Sequence, residues 1–242
     1  MAAENLELRH GITKSIEYLP HDPPIAVWTK LQVPETKTLD TNYWNAFFQP
    51  LVHTIGHHET VWARVRDNPD VVLLATLWWT TSELREFQLS PSAQLYREIL
   101  QREDIIHISS HETIYGSAHW FQRLKYSITQ IFWVYFPAPV EESLQSQVSE
   151  LVGIRPPAFG PGVPLKDHFQ THLPVLQWAT ETEVWHGKQV QLLLWPHFWR
   201  SKEKAEYRHE PYAQKRFTER VEGLGAVECR DELYDFTEIP KL

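Results

Sequence analysis

The sequence is poor in the residues that build covalent, thiolate or nucleotide-binding sites. It has one cysteine, Cys229, and one methionine among 242 residues. A single cysteine excludes an internal disulfide and a thiolate cluster, which fits a reducing compartment, and we expect a cytoplasmic protein. The patterns G-x-G-x-x-G, G-x-x-x-x-G-K-[ST], H-E-x-x-H and G-x-S-x-G are all missing. No nucleotide, flavin or structural zinc site is therefore predicted.

Long apolar runs and a basic surface are missing too. The longest apolar run, VVLLATLWW at residues 71–79, is far shorter than the roughly 20 residues that a membrane helix needs. The first residues, MAAENLELRHG, contain no basic segment followed by an apolar run, so no secretory signal is predicted. The net charge is -8, and an acidic surface repels phosphate backbones. We therefore predict no membrane and no nucleic acid as a partner.

Aromatic residues and histidines, by contrast, are abundant: 11 Trp, 9 Tyr, 11 Phe and 13 His. The aromatic residues suit a bulky core, and they equally suit a pocket for a flat apolar ligand. Some histidines have the spacing H-x-x-x-H, which places both rings on one face of a helix or strand. These pairs are His53/His57, His107/His111 and His168/His172. No carboxylate partner is evident beside them, and no metal is predicted.

The strongest pattern in the sequence is an internal repeat. The segment WWTTSELREFQLSPSAQ, residues 78–94, is followed 120 residues later by FWRSKEKAEYRHEPYAQ. In this alignment Trp79 falls on Trp199 and Pro91 falls on Pro211, and upstream Leu73 falls on Leu193. An internal duplication is the economical explanation.

Each half reads as β-α-β-β-α-β, because apolar runs typical of strands alternate with segments of helical spacing. The helix after the first strand is expected to begin at a cap, Asp40 or Thr41. This order is the ferredoxin-like plan, an antiparallel sheet with helices on one face. Two such sheets would cover each other's open faces. We therefore predict an α+β fold in which two ferredoxin-like repeats, residues 25–115 and 128–236, form one barrel within the chain.

A proline-rich insertion distinguishes the second repeat. Residues 154–174, IRPPAFGPGVPLKDHFQTHLP, stand where the first repeat has only a few residues. Loops of this length are often lids or binding loops, and a surface excursion or an oligomer contact is the alternative. Because this insertion and the strand containing Pro196 and His197 break the symmetry, we expect the pocket in the second repeat.

The duplicated segment resembles a known family. Its pattern is a strand followed by W-x-[ST]-x-E and F-x-x-S-P, carried by Trp79, Ser82, Glu83, Phe87, Ser90 and Pro91, and again by Trp199, Glu203, Tyr207 and Pro211. It resembles the antibiotic-biosynthesis-monooxygenase-like members of the dimeric α+β barrel superfamily. The resemblance implies ligand binding between sheet and helices, with cofactor-free oxygenation of polyketide-like aromatics, or cyclisation or isomerisation by His and Tyr.

Such chemistry needs an apolar pocket, a base and a donor that holds an oxyanion. The candidate catalytic residues are His197 and His107 as bases and Tyr135 as donor. The candidate substrate-binding residues are Trp133, Trp178, Trp195, His168 and His172. A core histidine bonded to the backbone is the alternative for His197. Polar residues inside the strands are expected to face the partner sheet and to pair across the barrel seam. These residues are Lys30, Gln32, Gln177 and Glu181.

These residues predict a cofactor-independent enzyme of secondary metabolism, a monooxygenase, cyclase or isomerase acting on a small hydrophobic or aromatic substrate. Haem is the alternative cofactor, because chlorite-dismutase-like and dye-peroxidase-like proteins share the barrel. That resemblance implies His168, His172 or His197 as the axial ligand. A non-catalytic, stress-response-type binding barrel is a third interpretation. A homodimer is a further possibility, because exposed strand edges can pair two chains.

Overall fold

The computed structural model of the protein describes residues 22–39, 41–116, 119–151, 153–154, 164 and 168–242, with only the backbone at residues 208 and 211. The strands are β1 (Ile25–Gln32), β2 (His57–Val65), β3 (Asn68–Trp78), β4 (Ile106–Ile114), β5 (Ile128–Pro137), β6 (Gln170–His172), β7 (Gln177–Trp185), β8 (Lys188–Trp199), β9 (Glu228–Asp235) and β10 (Thr237–Glu238). The α-helices are α1 (Asn42–Phe47), α2 (Gln49–Val52), α3 (Thr81–Gln88), α4 (Pro91–Arg102), α5 (Glu142–Ser149), α6 (Lys202–Ala205) and α7 (Pro211–Gly223). Two 3-10 helices span Phe121–Tyr126 and Glu206–His209. Within these ranges, no helix has the length and apolar character needed to cross a membrane.

All of these strands belong to one antiparallel sheet. Its order is β10-β2-β3-β1-β4-β7-β8-β5-β9, and β6 pairs with β8. The order β2-β3-β1-β4 in the first repeat and β7-β8-β5-β9 in the second are the same ferredoxin-like arrangement. The repeats join where Thr113 pairs with Ala179. At the other end, β10 pairs with β2, and the Arg66 amide donates to the Leu233 carbonyl at 3.0 Å. The sheet is thus nearly closed into a barrel, which confirms the predicted fold.

The two faces of the sheet have different neighbours. The inner face packs side chains of both repeats together, including Trp28 and Ala75 from the first and Trp133 and Leu194 from the second. The outer face of each repeat is covered by its own helices. The two halves of the sheet therefore cover each other, as the sequence predicts. Each repeat has a separate layer between its half of the sheet and its own helices.

The offset in residue number between matching positions of the two repeats is one residue larger for the strands than for the helices. Helices α4 and α7 both begin at a proline, 120 residues apart. Strands β3 and β8 end at Trp78 and Trp199, 121 residues apart. At an offset of 120, Leu73 on the inner face is aligned with Leu193 on the outer face. Because a one-residue slip moves a strand residue to the opposite face, the alignment of Leu73 with Leu193 is wrong. The alignment of Trp79 with Trp199 is wrong for the same reason, because Trp78 is the structural counterpart of Trp199. The strands need a one-residue gap relative to the helices.

Side-chain caps explain where the helices begin. The Thr41 hydroxyl accepts from the Trp44 amide at 3.2 Å, so Thr41 is the predicted cap of α1, and Asp40 lies outside the described residues. The sequence from Ser82 onward predicts one helix with Pro91 in its second part, whereas the structure has two helices there, α3 and α4. Ser90 accepts from the Ala93 amide at 3.2 Å, and proline is favoured in the first turn of the new helix.

Most of the insertion at 154–174, including the predicted lid, lies outside the described residues. Its last part forms β6, in which Gln170 pairs with Trp199 and His172 with Phe198. The insertion therefore ends as an added strand on β8.

Candidate functional site

The candidate site is a cavity of about 760 Å³ between the sheet of the first repeat and helices α2, α3 and α4. Its lining is mainly apolar and comes from both layers, with Val27, Leu51, Leu74, Trp78, Leu84, Phe87 and Leu100 among the residues. Its polar lining includes Thr29, Thr76, Gln88, Tyr96, Arg97, His107 and Ser110. A largely apolar cavity of this size with a few polar groups is typical of a small-molecule site. It lies between sheet and helices, as the resemblance implies, but in the first repeat, whereas the asymmetry of the sequence favours the second.

One hydrogen-bonded chain of side chains lies at the rim of this cavity. His107 Nε2 is 2.8 Å from Ser110 Oγ, and Ser110 Oγ is 2.9 Å from Thr29 Oγ1. His107 and Ser110 are exposed, and all three residues line the cavity. The contact uses one ring nitrogen, and no hydrogen-bond partner of His107 Nδ1 occurs among the described residues. His107 is therefore the predicted catalytic residue that this cavity contains.

A bulge in β4 creates this chain. Leu31 pairs with His107, whereas Lys30 pairs with Ser109, so one extra residue is accommodated in β4. Residues three apart normally face opposite sides of a strand. The bulge turns His107 to the same side as Ser110, and bulges are frequent beside active sites, where they re-aim side chains.

The same bulge separates His107 from His111, although their spacing predicts that they share one face. His111 faces the barrel interior, where its ring contacts Trp133 edge-on at 5.9 Å. Its Nδ1 lies 3.8 Å from Glu183 Oε1, and burial lowers the pKa of His111 to about 4. The two histidines therefore cannot bind one ligand together. Among the described residues, no group of three His, Cys, Asp or Glu side chains is placed to bind a metal ion.

A second hydrogen-bonded chain approaches the cavity from β2. His57 Nε2 is 2.8 Å from Thr60 Oγ1, and Thr60 Oγ1 donates to Thr76 Oγ1 at 3.1 Å. All three side chains are buried, and Thr76 lines the cavity. His57 Nδ1 is buried without a partner among the described residues. Burial lowers the pKa of His57 to about 4, so its imidazole is neutral at neutral pH.

Tyr96 contributes a hydroxyl on the helix side of the cavity. Its ring lies 5.8 Å from that of Phe48, and the part of the chain that the structure describes contains no hydrogen-bond partner for the hydroxyl. Burial raises the pKa of Tyr96 well above its ordinary value. The phenol therefore stays protonated and can donate to a ligand oxygen.

His197, the other predicted base, has a different environment. It is completely buried in the sheet–helix layer of the second repeat. Its Nδ1 is 3.0 Å from the Trp195 carbonyl oxygen, and its Nε2 accepts from the Ile154 amide at 3.0 Å. Burial lowers the pKa of His197 to about 4. Both ring nitrogens are used, so the geometry matches the core histidine alternative and leaves no nitrogen for proton abstraction.

Tyr135 and Trp133 face the barrel interior and do not line the cavity. The Tyr135 hydroxyl accepts from an Arg230 guanidinium nitrogen at 3.1 Å, and its ring stacks on Trp185 at 4.3 Å. Burial raises the pKa of Tyr135 to about 12. These two residues are separated by the sheet from His107, so the structure does not bring the predicted donor to the predicted base.

Lys30 makes the predicted contact across the barrel. Its Nζ donates to Glu232 at 2.8 and 2.6 Å and lies 3.8 Å above the centre of the Trp133 ring. Lys30 belongs to the first repeat, and the other two residues belong to the second. The expected pairing across the seam is confirmed for Lys30, which gives this residue a role in joining the repeats. Gln177 instead donates to the Leu176 carbonyl at 2.9 Å, and Gln32 and Glu181 are exposed.

The remaining predicted residues lie in the second repeat, away from the cavity. Trp178 contacts Phe136 at 5.5 Å, and Trp195 packs in the same sheet–helix layer. The His168 carbonyl accepts from Arg200. Trp178, Trp195 and His168 therefore do not form walls or a mouth of the cavity described above.

The described residues do not fit a haem at His197. An axial histidine needs a free ring nitrogen that faces room for the macrocycle. Both nitrogens of His197 are occupied, and a Cβ added at Gly153 would lie 2.4 Å from its Nε2. His172 Nδ1 is 2.7 Å from the Leu173 carbonyl oxygen, and its ring packs edge-on against Phe198 at 5.6 Å. Neither His168 nor His172 lines the cavity.

Comparison with known proteins supports the fold. No family model matches the chain, and no curated protein matches it. Among solved structures, the chain is similar to an anthrone oxidase-like protein, with 14% identity and a TM-score of 0.55 over 92% of this chain and 96% of the other. It is also similar to a protein of Fusobacterium nucleatum that is provisionally assigned as a monooxygenase, with 10% identity and a TM-score of 0.53 over 90% and 95% of the two chains. A haem-binding protein of Thermus thermophilus has 9% identity and a TM-score of 0.48 over 90% and 92%.

The first two similarities and the strand order show that the chain has the dimeric α+β barrel fold. Here both ferredoxin-like repeats of the barrel come from one polypeptide. At these identities the similarity extends to the fold and not to the activity.

Proposed function

We propose that this protein is a cofactor-independent enzyme that binds a flat, largely apolar aromatic substrate in the first-repeat cavity and removes a proton from it. The observation that carries the proposal is the cavity itself, which combines apolar walls, a histidine at the rim and a phenol that has no hydrogen-bond partner in the described part of the chain. The apolar walls exclude water from the ligand, and polar groups then act in a medium where each is stronger than in water.

The base in this proposal is His107. Its Nε2 is oriented by Ser110, and Ser110 is in turn held by Thr29. An imidazole oriented in this way can accept a proton from a carbon next to a carbonyl group. The Tyr96 hydroxyl, which is protonated and has no partner among the described residues, donates to the oxygen on which the enolate charge collects.

The enolate can then react with O2 without a cofactor, as the anthrone oxidase-like and monooxygenase neighbours suggest. The enolate carbon gives its electrons to O2 and forms a C–O bond. His107 returns the first proton to the peroxide and then accepts the second C–H proton. Cleavage of the O–O bond leaves a ketone, and the hydroxide that departs takes the proton from His107 and becomes water. The overall change is CH2 plus O2 to C=O plus H2O, so O2 is the oxidant. An isomerase or cyclase would share the proton abstraction and consume no O2.

Oxygen consumption with anthrone as the probe tests this proposal. We expect His107→Gln, which retains a hydrogen-bonding side chain but no base, to lower kcat/KM about 10²–10⁴-fold. Substrate affinity should change much less. Exposed His53 provides the control, because His53→Gln should retain full activity. An unchanged rate in His107→Gln would contradict the assignment of the base, and turnover without oxygen uptake would assign an isomerase.

A further inference from the structure

The buried chain from His57 to Thr76 is not used by the mechanism above, and its geometry is unusual. A bulge in β2 pairs His57 with Trp78 and Glu59 with Leu77. His57 and Thr60 therefore face the same side of the strand although they are three residues apart. The bulges in β2 and β4 thus have the same effect: each places a histidine within hydrogen-bond distance of a hydroxyl three residues later.

The hydrogen bonds of this chain have one favoured direction. His57 is neutral, so only one ring nitrogen carries a proton. If that nitrogen were Nδ1, a buried N–H would have no acceptor among the described residues, and orphaned buried N–H groups are rare. With the proton on Nε2, His57 donates to Thr60, and Thr60 donates to Thr76.

This direction leaves the Thr76 hydroxyl proton for a ligand. Thr76 lines the cavity, and no acceptor for its proton occurs within the described ranges. On β1 and β3, Val27 pairs with Thr76, and Thr29 pairs with Leu74. Thr76 and Thr29 are therefore diagonal neighbours on the same face of the sheet. Diagonal neighbours lie about 7–8 Å apart. A ligand oxygen on the sheet side of the cavity is therefore within reach of the Thr76 hydroxyl. The base His107 lines the same cavity and is connected to Thr29 through Ser110.

We propose that the chain His57–Thr60–Thr76 presents the Thr76 hydroxyl as a fixed hydrogen-bond donor to an anionic oxygen of the ligand. The inference rests on the proposed function, and it narrows the substrate class to aromatics that have a phenol or enol oxygen. Thr76 would contact the ligand, and His57 and Thr60 are positioning residues. Because the Thr76 oxygen accepts a hydrogen bond from Thr60, the Thr76 O–H is oriented and polarised to donate its own proton.

The test compares two probes of similar shape, 2-naphthol and 2-methylnaphthalene, by equilibrium dialysis against the full chain. In the wild type, we expect 2-naphthol to bind about tenfold more tightly, because one good hydrogen bond is worth about that factor. Thr76→Val retains the shape of the side chain and removes the donor. It should abolish the preference by weakening 2-naphthol binding and leaving 2-methylnaphthalene binding unchanged.

Two variants at His57 separate positioning from packing. His57→Gln retains an N–H at the position of Nε2 and should retain the preference for 2-naphthol. His57→Leu fills similar space without a donor and should lose the preference. The absorption spectrum of bound 2-naphthol gives a second readout, because Thr76→Val and His57→Leu should both raise the pKa of the bound naphthol relative to the wild type.

The outcomes distinguish the two proposals. If the wild type binds both probes and Thr76→Val retains the same preference, the chain is not a ligand donor and the inference is wrong, whereas the cavity remains the binding site. If His57→Gln and His57→Leu behave alike, the positioning role is wrong. If the wild type binds neither probe, the proposed function fails and the inference fails with it.

Discussion

The layers between sheet and helices have the same topology in the two repeats, but one layer contains a cavity and the other is filled by side chains. On the first repeat, β1 presents Val27, Thr29 and Leu31 to its helices, and the layer contains the cavity. On the second repeat, β5 presents Phe132, Val134 and Phe136, and large rings occupy the corresponding space. A duplicated fold can therefore keep one copy as a packed core and open the other as a ligand site.

The helices show the same contrast. Phe217 on α7 packs against Phe132 at 4.6 Å and Trp195 at 5.1 Å. At the matching position of α4, 120 residues earlier, stands Arg97, which is exposed at the rim of the cavity. The aromatic ring that fills this layer of the second repeat therefore has no counterpart at this position of the first repeat.

The histidines of the two layers differ in the same way. Both nitrogens of His197 have hydrogen-bond partners. His57 and His107 each use one nitrogen to bond a hydroxyl that leads to the cavity. A satisfied histidine stabilises a core, and a chain that ends at a cavity wall provides a donor or acceptor for a ligand.

Truncation of Phe217 should have the largest effect on stability. Phe217→Ala removes a buried ring from the filled layer, and we expect a loss of about 3–5 kcal/mol in the free energy of unfolding. Urea unfolding followed by circular dichroism measures it. Arg97→Ala, the matched change in the first repeat, should stay within about 0.5 kcal/mol of the wild type. Equal losses in both variants would contradict the difference between the layers.

Acidification should destabilise the filled layer through His197. The pKa of this residue is about 4 in the folded protein, and its ordinary value, expected in the unfolded chain, is 6.5. The unfolded chain therefore binds more protons between these values, and stability falls as the pH drops from 6.5 to 4. The contribution of His197 is about 3 kcal/mol. His197→Gln should show a correspondingly smaller loss between pH 7 and pH 4.5, and an unchanged pH dependence would show that His197 does not remain neutral.

The sequence predicts the fold well because the fold depends on strong local patterns. The duplicated strand–helix segment, the cap at Thr41 and the pairing of Lys30 all follow from residue type and spacing. The one-residue error at Leu73 shows the limit, because an alignment without a gap cannot tell which face a strand residue occupies.

The site is only partly predictable from the sequence. The sequence identifies His107 as a candidate, but it does not identify Tyr96, Thr76 or His57 as site residues. The two bulges decide which side chains reach the cavity, and a bulge leaves no regular signal in the alternation of apolar residues. The position of the cavity depends on side-chain sizes from several distant segments. The sequence offers two signals: the smaller side chains of β1 compared with those of β5, and Arg97 at the position that matches Phe217.

The central claim is that the ligand binds in the cavity of the first repeat. The most direct test is to fill this cavity with an aromatic ring, as rings fill the matching layer of the second repeat. Val27→Phe adds a ring to the cavity wall, and the available volume of about 760 Å³ allows it without loss of more than about 1.5 kcal/mol of stability. We predict that its affinity for 2-naphthol in equilibrium dialysis falls at least about tenfold. Val184→Phe, at an exposed position outside the cavity, should bind as the wild type does. A folded Val27→Phe protein with wild-type affinity would show that the ligand does not bind in the first-repeat cavity.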